Sequence, residues 1–172
     1  DPRFHRAVVF VCAHDAHGAM GLVINHIIGG LDFSDLLKQI KLENNERNIL
    51  QELDIPVFAG GPVEPARGFL VHSPEFIQPD TIRVTDDISV TGTVDALKAV
   101  AGGKGPQKMM FVLGYAGWSA SQLDEELQQN AWITAQPTPE LIFETEPAQR
   151  WATSMSQMGI NPSMLSTAAG RA

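Results

Sequence analysis

Ser119 closes an apolar, glycine-punctuated run in the stretch MMFVLGYAGWSASQLDEEL, Met109 to Leu127, and a hydroxyl there invites two kinds of chemistry. One is nucleophilic attack, with His72 or His14 as the base. The other is capture of a small anion on the free N–H groups where a helix begins. The first is incomplete. A nucleophile elbow carries glycine two residues to either side of its serine; Gly117 is present, but the other position holds Ser121. A serine used as an N-cap is also a hydrogen-bonding spacer rather than an activated nucleophile. His14, Asp15 and His17 lie close enough in sequence to ligate a metal, yet no second pair of ligands stands at a telling spacing. The sequence therefore names no catalytic set, no metal site and no cofactor.

These groups need elements to position them. Met109 to Leu113 is uncharged and apolar, as expected of a strand buried on both faces. Gly114 and Gly117 bracket Tyr115 and Ala116, marking a sharp turn or a close backbone approach. Ser119 and Gln122 form a capping-box pair, which predicts a helix starting at Ser119, with Ala120, Leu123 and Leu127 inward and Asp124, Glu125 and Glu126 acidic outward. The plain structural alternative is a well-capped crossover with Trp118 anchored in the core. A second bend stands at Gly60, Gly61 and Pro62, after the strand-like run from Ile55. The two bends are expected to meet and rim a pocket.

A chain of 172 residues, 44% hydrophobic and 19% charged, fits a single domain over residues 1–172 with a proper core. The net charge of −8 and the absence of a Lys/Arg run disfavour direct nucleic-acid binding. The single Cys12 lies in the apolar run Ala7 to Ala13, where it reads as a small buried hydrophobe in a reducing compartment. Apolar surroundings raise a thiol pKa and keep it inert. No apolar stretch approaches the roughly 18–20 residues of a membrane span, so a soluble protein is expected.

In chain order, strands are expected at Arg6–Ala13 and Met20–Ile24, forming a hairpin. Gly29 and Gly30 break the chain before a helix capped by Asp32 or Ser34, and a second short helix is expected between Glu43 and Asp54. Short strands follow at Arg67–His72, Thr81–Thr85 and Ile88–Val90, then a helix from Thr93 or Asp95, ended by Gly102. After the central unit come a strand at Ala131–Ala135, a short apolar element at Leu141–Phe143, and a helix at Gln149–Met158. This mixture predicts an α/β fold: one mixed, curved sheet folded on itself with helices packed against it, rather than a regular βα array.

The opening DPRF with AVV, the stretch HDAHGAMGLVIN from His14 to Asn25, AGGPV from Ala59 to Val63, and GYAGW followed by QLDEEL resemble the YqgE/AlgH family of uncharacterised bacterial proteins. The resemblance implies a compact α/β protein with a strongly folded mixed sheet, usually cytoplasmic, with no established enzymatic activity. It also carries a genetic association with the regulation of alginate synthesis, and hence an indirect link to transcriptional regulation. It places Asn25, Gly60, Gly61, Pro62, His72, Gly114, Tyr115, Gly117, Trp118, Gln122 and Trp132 at the family's characteristic positions. The chain departs from the pattern at His26 and Ile27, where a proline is common, and the family usually carries a further strand ahead of Asp1. The expected function is a non-enzymatic regulatory or adaptor protein binding a small anionic ligand or a protein partner through Asn25, Gly60, Gly61, Pro62, His72, Gly114, Tyr115, Gly117, Trp118 and Ser119. Tyr115 and Trp118 are read as its exposed aromatic contacts. The alternative is a hydrolase acting on a small anionic substrate at the Gly114–Ser119 turn.

Overall fold

The computed structural model describes residues 1–39 and 55–164. The helix expected between Glu43 and Asp54 lies outside the described residues. Eight strands form a strongly curled, half-barrel sheet in the order β1-β2-β8-β5-β7-β6, with β3 paired to β4 and β4 to β8. They are β1 (Val9–Asp15), β2 (Gly18–Val23), β3 (Ile27–Asp32), β4 (Pro56–Ala59), β5 (Val63–His72), β6 (Ile82–Arg83), β7 (Ser89–Thr91) and β8 (Met109–Ser119). Every pairing is antiparallel except β4 with β8. The α-helices among the described residues are α1 (Phe33–Gln39), α2 (Val94–Ala101), α3 (Gln122–Gln128) and α4 (Arg150–Gln157).

The sheet is built around β8. Its first half takes β5 on one edge, with Leu70 opposite Phe111, and β4 on the other, with Phe58 opposite Val112. Its second half exchanges β4 for β2, with Trp118 opposite Ala19 and Ser119 opposite Gly18. Gly60 is the seam: its N–H donates to Leu113 O at 2.7 Å and its carbonyl accepts from Val23 N–H at 2.8 Å.

Alternation along these strands separates two cores. Val57, Leu70 and Phe111 join Phe33 of α1 and Leu97 and Val100 of α2 on one face. Phe58, Phe69, Val71, Met110 and Val112 join Phe10, Leu22 and Ile142 on the other. The uncharged run Met109–Leu113 is apolar throughout because both faces of β8 are covered.

Several expected elements differ. The chain does not turn at Gly114 and Gly117; β8 continues through them to Ser119, and the close backbone approach is the reading that holds at Gly114. Gly29 and Gly30 lie within β3 rather than ending a segment. Ala131–Ala135 is not a strand, and Leu141–Phe143 belongs to a single π-helical turn, Glu140–Glu144. Asp32 does start α1, because its Oδ1 accepts from Asp35 N–H at 2.9 Å while Asp35 Oδ2 accepts from Asp32 N–H at 3.1 Å. The β1–β2 hairpin has Ala16 and His17 at its tip, and Asp15 Oδ1 accepts from His17 N–H at 2.7 Å.

Candidate functional site

Gly60, Gly61 and Gly114 meet as the sequence suggests, but as packed backbone rather than as the rim of a pocket. A Cβ on Gly60 would lie 2.3 Å from Gly114 O, and one on Gly114, whose φ is +75°, would lie 2.6 Å from Gly61 O. This contact lets the Glu64–Arg67 segment of β5 bulge out opposite the single residue Gly114. Beyond the crossing, Pro62 and Val63 on one side and Ala116, Gly117 and Trp118 on the other wall an open cleft of about 580 Å³. Its remaining walls come from the N-terminal segment, α3 and Trp132.

Trp118 is the cleft's anchor. It is buried, not exposed, and its ring stands edge-on to Trp132 at 6.0 Å and 75°. Trp132 in turn meets Phe4 edge-on at 5.8 Å and 72°. The Trp132 indole N–H donates to Glu126 Oε1 at 3.4 Å. The other carboxylate oxygen, Glu126 Oε2, is shut off from solvent and has no hydrogen-bond partner.

Ser119 remains in the ladder with β2, so the N-cap of α3 falls two residues later than the capping pair suggests. Ser119 N–H donates to Gln122 Oε1 at 3.0 Å, the back-reaching half of a capping box, but its hydroxyl also points to that oxygen, at 3.2 Å. The N-cap residue is Ser121, in a left-handed conformation at φ 66° and without a side-chain cap bond. Strand pairing outcompetes the local cap. The free N–H groups of a helix start are thus absent at Ser119, and its hydroxyl has Gln122 rather than a histidine as partner.

Tyr115 and Trp118 belong to different clusters. Tyr115 packs edge-on to Phe69 at 6.0 Å, and the nearby Glu64 carboxylate holds its phenol pKa above the usual value. Glu64 itself has a left-handed φ of 44°, and Arg67 Nη1 pairs with it at 3.3 Å.

Asn25 and His72 stand apart from the cleft. The Asn25 side chain accepts from Val8 N–H and donates to Arg6 O, both at 2.9 Å, stitching the segment that follows Phe4 to the end of β2. Asn25→Ala is expected to cost about 1–2 kcal/mol from the two lost bonds. An unchanged urea midpoint would refute this role.

His72 is fully buried opposite Met109, at the far end of β8 from Ser119. Ten residues of strand separate those positions, roughly 33 Å, so His72 cannot act on Ser119. His14 Nε2 pairs instead with Asp124 Oδ1 at 3.1 Å. The described residues hold no group of three or more His, Cys, Asp or Glu arranged to bind a metal ion. Burial pushes the Cys12 thiol up to about 12, and its S–H donates to Phe10 O at 3.4 Å.

Three lining residues were not read as site residues from the sequence, although Trp132 stands among the positions that mark the family resemblance. Glu126 reads as part of an exposed acidic face, Phe4 as part of an opening motif, and Trp132 as a strand residue. The available signal was the pair of aromatics outside any periodic segment.

A family model described as AlgH-like matches residues 1–163. The chain belongs to the AlgH-like family. Relatives described as UPF0301 proteins share 46% identity in Paracoccus denitrificans, covering 100% of this chain and 90% of the relative. In Rhodospirillum rubrum the identity is 41%, covering 100% and 88%. The solution structure of the AlgH protein from Pseudomonas aeruginosa superposes with a TM-score of 0.78 at 36% identity, covering 100% of this chain and 89% of that one. A Corynebacterium diphtheriae protein of 15% identity shares the fold alone, with a TM-score of 0.68 over 90% of this chain and 78% of that one. Among the described residues, no helix of this AlgH-like chain is long and apolar enough to cross a membrane.

Proposed function

We propose that this chain is a non-enzymatic regulatory binding protein of the cytoplasm, whose small ligand seats in the cleft between Trp118, Trp132 and Phe4. One observation carries the reading. Five of the residues that mark the family resemblance, Pro62, Gly117, Trp118, Gln122 and Trp132, come from three separate chain segments and converge on this one cleft. A core needs packing, but it does not need an open, aromatic-walled recess of small-molecule size. Any link to transcription then runs through a bound signal and a partner, since the net charge of −8 disfavours contact with phosphate backbones.

A thermal-shift screen tests the reading. A ligand present at 100 times its Kd adds about 2.7 kcal/mol, which corresponds to a Tm rise of roughly 5 °C or more for a domain of this size. Trp132→Ala, a loop substitution outside every ladder, is expected to abolish that shift while leaving the protein folded. A ligand that stabilises the variant as strongly as the parent would remove the cleft as the site.

A further inference from the structure

We propose that the cleft selects a small organic cation, an ammonium or guanidinium group on an apolar stem, with Glu126 as its counter-charge. The inference rests on the binding reading above and adds the chemical class of the ligand. Glu126 lies in the cleft lining, and its two oxygens differ. Oε1 has only the long bond from the Trp132 indole, at 3.4 Å, while Oε2 is buried and unpartnered. Among the described residues no basic side chain pairs with Glu126, whose one donor is a long, neutral indole N–H, so a cation seated in the cleft offsets the charge of the carboxylate through space even though Oε2 itself is shut off.

The walls agree with this sign. Phe4, Trp118 and Trp132 present aromatic surface, and aromatic faces attract cations. Arg3, the only Lys or Arg among the lining residues, is spent on Asp1, with Nη2 to Oδ2 at 2.6 Å and Nε to the same carboxylate at 3.0 and 3.1 Å. Glu125 in the first turn of α3 adds negative potential. An anion entering here would meet the Glu126 carboxylate. The class is therefore opposite in charge to the anionic ligand expected from a helix start at Ser119, which the strand ladder removes.

Three probes of one shape separate the possibilities: phenethylamine, 2-phenylethanol and phenylacetate, followed by the indole N–H signals of Trp118 and Trp132 in 1H–15N spectra. Phenethylamine is expected to move both signals saturably and to bind about tenfold or more tightly than phenylacetate. Glu126→Gln keeps an acceptor for the Trp132 indole but loses the charge, and is expected to erase that preference; Glu126→Ala should do the same. Equal binding of the three probes at the indoles, or an unchanged preference in folded Glu126→Gln protein, overturns the cation assignment and leaves the cleft as a binding site. Silence of both indoles toward all three probes overturns the assignment and the cleft reading together.

Discussion

Gly61→Ala is expected to destabilise the protein by about 4 kcal/mol, at the severe end of single substitutions, or to prevent folding. A Cβ at position 61 would lie 2.2 Å from Tyr115 C, 2.3 Å from Tyr115 O and 2.5 Å from Ala116 N. All three are backbone atoms of β8, so no rotamer change relieves the clash. The strand cannot move aside either, because β2 and β5 hold its edges at this level. The φ of +152° adds conformational strain for any residue with a side chain. Gly29→Ala is the matched control: an added Cβ there meets nothing within 4 Å, and no loss beyond about 0.5 kcal/mol is expected. Urea unfolding of both variants decides the matter. Similar midpoints for the two would mean that the crossing of Gly60 and Gly61 with β8 does not hold the sheet together.

His72→Ala is expected to cost about 3 kcal/mol, through a cavity and two stranded polar groups. The buried ring stands at the end of a hydrogen-bonded chain. Its Nδ1 lies 2.8 Å from Ser73 O, which only accepts, so Nδ1 carries the proton. Nε2 then accepts from the Thr91 hydroxyl at 2.7 Å, Thr91 Oγ1 accepts from Thr81 at 2.7 Å, and Thr81 Oγ1 accepts from Gln78 N–H at 2.8 Å. Each donor has one acceptor and the direction is consistent throughout. The chain ties β5 to β7 and to the loop before β6.

The same burial makes His72 a source of pH dependence. Desolvation holds its pKa below the ordinary 6.5, against the pull of the nearby Glu75 and Asp80 carboxylates. The unfolded chain therefore takes up a proton first as pH falls. Stability from this group is whole above pH 6.5 and declines below it, by at most about 1.4 kcal/mol per pH unit, until the folded-state pKa is reached. His72→Gln, which does not titrate, is expected to flatten the stability profile just below pH 6.5. Parallel slopes for parent and variant in that window would show that the proton is taken up elsewhere.

Much of this protein follows from residue types alone. The apolar β-branched runs place most of the strands, Asp32 and Thr93 mark where α1 and α2 begin, Gly102 and Gly159 mark where helices end, and the motif set places the chain in its family. These are local or periodic signals, and they survive folding because tertiary contacts reinforce them. Three features were decided only in three dimensions. The glycines at 114 and 117 read as a turn or a close backbone approach, and the tertiary structure decides for the approach: Gly114 lies within β8 against the Gly61 carbonyl, while a side chain at Gly117 would meet only ordinary contacts. Ser119 looks like a helix cap, yet inter-strand hydrogen bonds keep it extended, since a ladder secured by a packed core outweighs one local cap. Glu126 looks like one acid of a solvated face, yet Trp132, from a loop without periodicity, donates to one of its oxygens and the other is buried. Which side chains face one another across the cleft depends on where β8 exchanges β4 for β2, a long-range register that spacing along the chain does not encode.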